Sequence, residues 1–142
     1  KFVEENDAMK KEVERFRAQA VYRAAKSLVE RAETVNGVHV VKAVLPVDPA
    51  SAKDIVFKVR EALPENLACV LGSVYESRPL LSIMLSDDMV KNHDLNAGKI
   101  IREAAKLIKG GGGGQPHYAQ AGGKDADGIN AAVDKVVELL DL

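Results

Sequence analysis

The chain contains one cysteine, no tryptophan and few aromatic residues of any kind (4%). A lone cysteine, Cys69, forms no internal disulfide, and no apolar run approaches the ~20 residues that span a bilayer. Lys and Arg number 20 against 21 for Asp and Glu, which gives a net charge of -1. These scarcities predict a cytoplasmic protein without a membrane partner, and they argue against a uniformly basic surface.

The familiar signatures of catalytic and metal sites are also missing. The sequence has no G-x-S-x-G, C-x-x-C or H-E-x-x-H motif and no Walker phosphate loop. His39, His93 and His117 are separated along the chain, and Cys69 falls inside an apolar run typical of a buried strand. We therefore predict no catalytic residue, no metal site and no cofactor in these 142 residues.

The length suits one compact domain with one appended element. Residues 1–36 are expected to form that element, a long helix, because no proline or glycine interrupts Phe2 to Thr34 and Asn36-Gly37 is a typical helix end. The first residues already read as the middle of a helix, so we expect a piece of a larger protein.

Residues of this helix follow the 4-3-4-3-4 spacing of a coiled-coil seam. Two interpretations remain open: the helix packs on its own domain, or the seam pairs with a second copy of the chain. The predicted seam, a candidate dimerisation surface, consists of Phe2, Asn6, Met9, Val13, Phe16 and Ala20.

Residues 37–142 are expected to form the globular domain. A β-branched run over 38–45 predicts a strand, and Asp48-Pro49 predicts the start of a helix ending at Leu63. Apolar runs over 67–75 and 80–85 predict a hairpin, and Asn96 is expected to cap a helix over 97–109. With a final helix ending at Leu142, this order predicts an α/β (α+β) fold, in which helices flank a small sheet and a glycine-rich loop follows the basic helix.

The helix before the glycines is the most basic part of the chain. Five basic and two acidic residues lie between Lys91 and Lys109, a local charge of +3. A 3-4-3 spacing places four cations on one helical face, where they form either a solvated face or a phosphate-binding stripe. These cations are Lys99, Arg102, Lys106 and Lys109.

Five consecutive glycines follow this stripe. As a loop they act either as a flexible linker or as backbone that a phosphate or sugar approaches closely. The residues after them offer amides and rings for hydrogen bonding and base stacking. The candidate contacts are Gly110, Gly111, Gly112, Gly113, Gly114, Gln115, His117, Tyr118 and Gln120.

The segment KGGGGGQPHYAQAGG, residues 109–123, resembles the glycine-rich signature GG-x-GGG-[RQ]-P-x-x-A-x-A-GG near the C-terminus of alanyl-tRNA synthetases. The preceding helix and the final amphipathic helix are similar to that family in order, so the resemblance covers essentially the whole chain. It implies a C-Ala domain, the type found beside DHH phosphoesterase domains, with a small sheet, flanking helices and no active site of its own.

The resemblance further implies that tRNA(Ala) is the partner and that the domain holds the outer corner of the tRNA to support aminoacylation and editing. The helix is associated with dimer formation in bacterial members. The catalytic and editing domains would lie upstream, and ATP, Mg and Zn would belong to the parent enzyme, an alanine-tRNA ligase.

Two alternatives stay open. One is the oligonucleotide-binding or cyclic-dinucleotide-binding domain of a DHH-family phosphoesterase, although Gln115-Pro116 separates the glycines from His117, where such domains usually carry a histidine directly after the glycines. The other is a purely structural dimerisation module in which the glycine segment has no ligand.

Overall fold

The computed structural model describes residues 2–142, with side chains from residue 9 onward. This part of the chain contains five α-helices, six strands and two 3-10 turns. The helices are α1 (Phe2–Glu30), α2 (Pro49–Ala62), α3 (Asp87–Asn92), α4 (Ala97–Ala105) and α5 (Ile129–Leu140). The strands are β1 (Glu33–Val35), β2 (Val38–Leu45), β3 (Leu67–Tyr75), β4 (Arg78–Leu85), β5 (Gly111–Gly114) and β6 (Tyr118–Gly122).

The strands form one mixed sheet in the order β1-β2-β3-β4-β6-β5. Strands β2 and β3 are parallel and are joined through α2, whereas every other neighbouring pair is antiparallel. The β3–β4 hairpin turns on Glu76 and Ser77, both at positive φ (51° and 65°), as a two-residue turn between twisted strands requires. This architecture confirms the expected α+β fold class.

Helices cover both faces of the sheet. Helices α4 and α5 pack on one face, where Val70, Ile83 and Ala121 belong to the same buried cluster as Ile101 and Val136. On the opposite face, α2 and the end of α1 cover the alternate residues of the same strands, as the two-residue period of a strand dictates. The α4 side carries the predicted basic stripe, and the α2 side does not.

Both predicted helix caps are present. The Asp48 carboxylate accepts hydrogen bonds from the Ser51 hydroxyl (2.6 Å) and the Ser51 backbone N–H (3.3 Å), with Pro49 at the first helical position. The Asn96 side chain accepts from the Lys99 backbone N–H at 3.2 Å. These short-range interactions fix where α2 and α4 begin.

The first helix is shorter than predicted. It ends at Glu30 instead of continuing to Asn36, and Glu33–Val35 form β1, whose Glu33 pairs with Val40. The prediction was wrong here because antiparallel pairing with β2 outweighs the helical continuation of a sequence that contains no breaker.

The glycine run also differs from its prediction. Instead of a loop, Gly111–Gly114 form an edge strand that pairs antiparallel with Gly122 through Ala119. Glycine has a low intrinsic preference for strands, so the pairing with β6 and the packing of α4 supply the order that the glycines themselves do not.

Candidate nucleic-acid interface

The four predicted cations lie on the exposed side of the α4 segment. Lys99 and Arg102 project from α4 itself, Lys106 begins the 3-10 turn that ends the helix, and Lys109 follows that turn in a left-handed conformation (φ 52°). The opposite side of α4 is buried by residues such as Ile101 and Ala104. Burial of the apolar face therefore leaves the cations in solvent.

The four cations differ in their ion pairing and in their surroundings. The ammonium of Lys106 lies 3.4 Å from the Glu103 carboxylate, an exposed pair that weakens the pull of Lys106 on an external anion. The Arg102 guanidinium lies 3.7 Å from the point that a β-carbon would occupy at Gly113. Helix α4 and strand β5 thus present a cation and an exposed backbone side by side.

Part of the glycine requirement is internal. A β-carbon on Gly112 would stand 2.3 Å from the Gln120 carbonyl oxygen, and one on Gly114 would stand 2.5 Å from the Tyr118 carbonyl oxygen. Both distances are far below van der Waals contact, so β5 lies this close to β6 only without side chains at these two positions. Glycine there serves packing before it serves any ligand.

The β5–β6 connection is tied to the end of β4 and the start of α4. The Gln115 backbone N–H donates to the Tyr118 carbonyl (2.8 Å), the His117 carbonyl accepts from the Leu85 N–H (2.7 Å), and the Pro116 carbonyl accepts from the Ala97 N–H (2.9 Å). The Gln115 residue is exposed and His117 is half-buried. These two residues remain available at the tip of the hairpin beside the basic stripe.

Tyr118 and Gln120 point to the other face of the sheet. The Tyr118 ring lies 5.1 Å from the Phe57 ring of α2 at 56°, its hydroxyl is buried, and burial raises the pKa of this phenol. The Gln120 side-chain nitrogen is buried too. Because alternate strand residues face opposite ways, the sheet separates both side chains from the cations of α4. The structure therefore does not bring these two candidates together with the stripe.

Sequence reasoning missed a second group of cations. Arg78 begins β4 and Lys124 follows β6, and both line a groove of about 670 Å³ that also reaches Lys109. A basic residue directly after the Gly122-Gly123 pair was a signal for Lys124. No local pattern pointed to Arg78, because β3 and β4 carry it to the groove from a distant part of the sequence.

The predicted seam of α1 is open where the structure describes it. Met9 and Val13 are each 65% exposed and Phe16 is 60% exposed, and Ala20 is exposed as well. The helix packs on its own domain through a different face, formed by Val21, Ala25 and Leu28. The side chains of Phe2 and Asn6 lie outside the described residues.

The described residues give little support for a thiolate nucleophile, a metal site or a membrane span. Burial raises the pKa of the Cys69 thiol to about 12, so it is not a thiolate nucleophile near neutral pH. Among the residues with described side chains, no three His, Cys, Asp or Glu residues are grouped as metal ligands would be. No helix in the described part of the chain is both long and apolar enough to cross a membrane.

The fold by itself defines a class of domain. A parallel β2-α2-β3 unit is extended by antiparallel strands, helices cover both faces of the sheet, and glycines form one edge strand. The DHHA1 domain family matches residues 37–141, so the chain belongs to that family.

Known proteins agree with this class. The alanine-tRNA ligase of Bacteroides fragilis is 45% identical over 139 residues, which cover 98% of this chain and 16% of that protein. The crystal structure of the C-Ala domain from Aquifex aeolicus alanyl-tRNA synthetase is similar with a TM-score of 0.68 and 28% identity, covering 78% of this chain and 98% of that one. The resemblance to the C-Ala domain is confirmed.

A more distant likeness concerns the fold alone. RecJ from Thermus thermophilus matches with a TM-score of 0.54 at 15% identity, over 88% of this chain and 18% of that one. The chain spans 16% of the length of the Bacteroides ligase.

Proposed function

We propose that this chain is the tRNA-binding C-terminal domain of an alanine-tRNA ligase. It holds the outer corner of tRNA(Ala), so that one bound tRNA serves the aminoacylation and editing sites of upstream domains in the same cytoplasmic chain. The observation that carries this proposal is the exposed row of α4 cations beside an edge strand of bare backbone. Phosphates of a folded RNA require cations at the surface and room for close approach.

The division of the cations supports a specific set of contacts. Lys99 and Arg102 are exposed, Arg102 lies beside Gly113 of β5, Lys109 lies just before β5, and Lys106 shares its charge with Glu103. We therefore assign the main phosphate contacts to Lys99, Arg102 and Lys109, with a smaller contribution from Lys106. Gln115 and His117, at the hairpin tip, contribute hydrogen bonds to sugars or exposed bases.

A salt-dependent titration of fluorescent tRNA(Ala) into the chain tests the proposal. The double substitution Lys99→Gln and Arg102→Gln should weaken binding by about tenfold. It should also make the negative slope of log K against log salt shallower by about 1 to 2. Lys58→Gln on α2 is the matched control, since it removes an exposed lysine from the opposite face of the sheet. An unchanged affinity and slope in the double variant would reject the assignment.

The same titration separates the outer corner from other parts of the tRNA. An isolated acceptor-stem duplex should bind more weakly than intact tRNA, because it lacks the corner. Equal binding of stem and whole tRNA would contradict this part of the proposal.

The α1 seam supports a second element of the proposal, self-association. Large apolar side chains that are 60–65% exposed on one helical face favour burial against another surface. Their heptad spacing fits an identical helix of a second copy. A homodimer formed through α1 is therefore part of the function that we propose.

The phosphoesterase alternative has a direct test. A domain that binds cyclic dinucleotides would take up cyclic di-AMP in isothermal titration calorimetry and would not prefer intact tRNA. Our proposal expects the reverse order of affinities.

A further inference from the structure

A groove lies at the end of the sheet opposite the β5–β6 hairpin tip. It forms where the β3–β4 turn meets the start of β5 and the end of β6, and its volume is about 670 Å³. Apolar residues form part of its wall, and Ser73, which is only 1% exposed, also lines it. Other residues that line it are Tyr75, Arg78, Lys109, Gly111, Gly122 and Lys124.

The groove is electropositive. Arg78, Lys109 and Lys124 line it against one carboxylate, that of Glu76. Within the residues whose side chains the structure describes, none of these three cations takes part in an ion pair. Their charge is thus available to an anion that enters the groove.

Two glycines in the groove have no structural reason to be glycine. Gly111 and Gly122 are register partners across β5 and β6, and a β-carbon on either would meet nothing within 4 Å. Neither has a positive φ, unlike Gly37. Glycine in a strand costs roughly 0.5–1 kcal/mol of stability relative to alanine, and the fold gains nothing in return at these positions.

The contrast with the neighbouring glycines sharpens this point. Gly112 and Gly114 are required by the close approach of β6, whereas Gly111 and Gly122 line the groove and a β-carbon on either would enter open space. A residue that is unfavourable in a strand, and whose presence gives no packing advantage inside the fold, is a sign of function. The bare strand pair forms a cradle in which a ligand can lie directly on the backbone.

The shape and chemistry favour one nucleotide as the ligand. A volume of about 670 Å³ lies within the range of small-ligand sites. The cations fit a phosphate, and the Tyr75 ring, 47% exposed, offers a face on which a base can stack. A base inside a duplex is already stacked on both of its faces, so the exposed ring favours an unpaired nucleotide.

We infer that this groove receives one unpaired nucleotide of an RNA, with its phosphate between Lys109, Lys124 and Arg78 over the Gly111–Gly122 pair and its base on Tyr75. The identity of the nucleic acid as RNA rests on the proposed function. The groove itself is a second contact site, which shares only Lys109 with the α4 stripe.

Side chains added at the Gly111–Gly122 pair test whether this cradle binds the nucleotide. Gly111→Val and Gly122→Val should each weaken tRNA binding by about tenfold and leave the thermal unfolding midpoint unchanged or higher, because both side chains enter open space and valine favours strands. Gly111→Ala and Gly122→Ala serve if a valine variant does not fold. Thr34→Val is the control, because it places an exposed valine on β1, at the opposite edge of the sheet from β5 and outside both the groove and the α4 stripe.

Nuclear magnetic resonance of the amide groups gives an independent reading with a defined probe, a pentamer of uridylate. The amides of Gly111, Gly122 and Lys124 should shift on titration, and Arg78→Gln with Lys124→Gln should abolish these shifts. A DNA pentamer and a pentamer of glutamate are compared at the same concentrations. Equal shifts with the glutamate peptide would overturn the nucleotide assignment.

The outcomes separate this inference from the proposed function. If tRNA binds and the valine variants bind equally well, the groove is not a contact site and the α4 assignment survives. If tRNA fails to bind but the pentamer shifts Gly111 and Gly122, the groove stands and the proposed function fails. If neither RNA perturbs the chain, both are rejected.

Discussion

The Arg102 guanidinium lies 3.7 Å from the position of a β-carbon at Gly113, which is ordinary van der Waals contact. At the preceding residue, Gly112, a β-carbon would stand 2.3 Å from the Gln120 carbonyl oxygen. Successive glycines in one strand therefore face different surroundings. The run is not a uniform flexible element, and its members should respond differently to substitution.

Gly112→Ala should destabilise the chain by about 1–3 kcal/mol, since the added methyl group forces β5 away from β6. Gly113→Ala should be neutral or stabilising by up to about 1 kcal/mol, because it restricts the unfolded chain without a clash. Urea unfolding followed by circular dichroism measures both. Equal effects of the two substitutions would mean that β5 does not pair with β6 as described.

Ser82 and Ser86 form a matched pair of buried hydroxyls, each at 0% exposure. The Ser82 hydroxyl has no hydrogen-bond partner among the described residues, whereas the Ser86 hydroxyl accepts from the Leu67 N–H at 2.9 Å. Ser82→Ala should raise the free energy of unfolding by about 1 kcal/mol, and Ser86→Ala should lower it by about 1–2 kcal/mol. A loss of stability in the Ser82 variant would show that this hydroxyl is satisfied in solution.

The Asp48 cap predicts a pH dependence. The hydrogen bond from the Ser51 hydroxyl lowers the pKa of Asp48 below its usual value, against the opposing effect of burial. The group therefore stabilises the fold above its unfolded pKa, and this contribution is lost as pH falls through the lowered pKa.

Asp48→Ala should accordingly cost about 1 kcal/mol near pH 7, and this cost should shrink as the pH falls from 7 through the lowered pKa of Asp48. Thermal unfolding of the variant and the parent chain across this range measures the difference. Asp134→Ala, at an exposed position of α5, is the control. A stability difference that persists at the acid end would exclude the charged cap as its source.

Self-association should depend on the seam and not on exposed aromatic area in general. Phe16 and Tyr22 are both 60% exposed, but only Phe16 lies on the heptad seam. Sedimentation velocity of Phe16→Lys should show a monomer at concentrations where the parent chain and Tyr22→Lys are dimeric. Equal behaviour of the two variants would contradict pairing through the seam.

The sequence alone determined the features that depend on neighbours along the chain. The Asp48-Pro49 and Asn96 caps, the strands of the β3–β4 hairpin and the exposed face of α4 all follow from short-range hydrogen bonding and from the period of apolar residues. The glycine signature pointed to the family for the same reason, since it is a contiguous pattern.

Only the tertiary structure decided the features that depend on partners distant in sequence. Pairing with β2 ended α1 at Glu30, and pairing with β6 turned the glycine run into an edge strand. The pairing of β6 within the sheet also places Tyr118 against Phe57, on the face opposite the basic stripe. It also brought Arg78 to Lys109 and Lys124, so a balanced total charge of -1 contains an electropositive groove. Net charge is a property of the whole sequence, and periodicity is a property of a short segment. A site, by contrast, is made by the residues that sheet pairing places together.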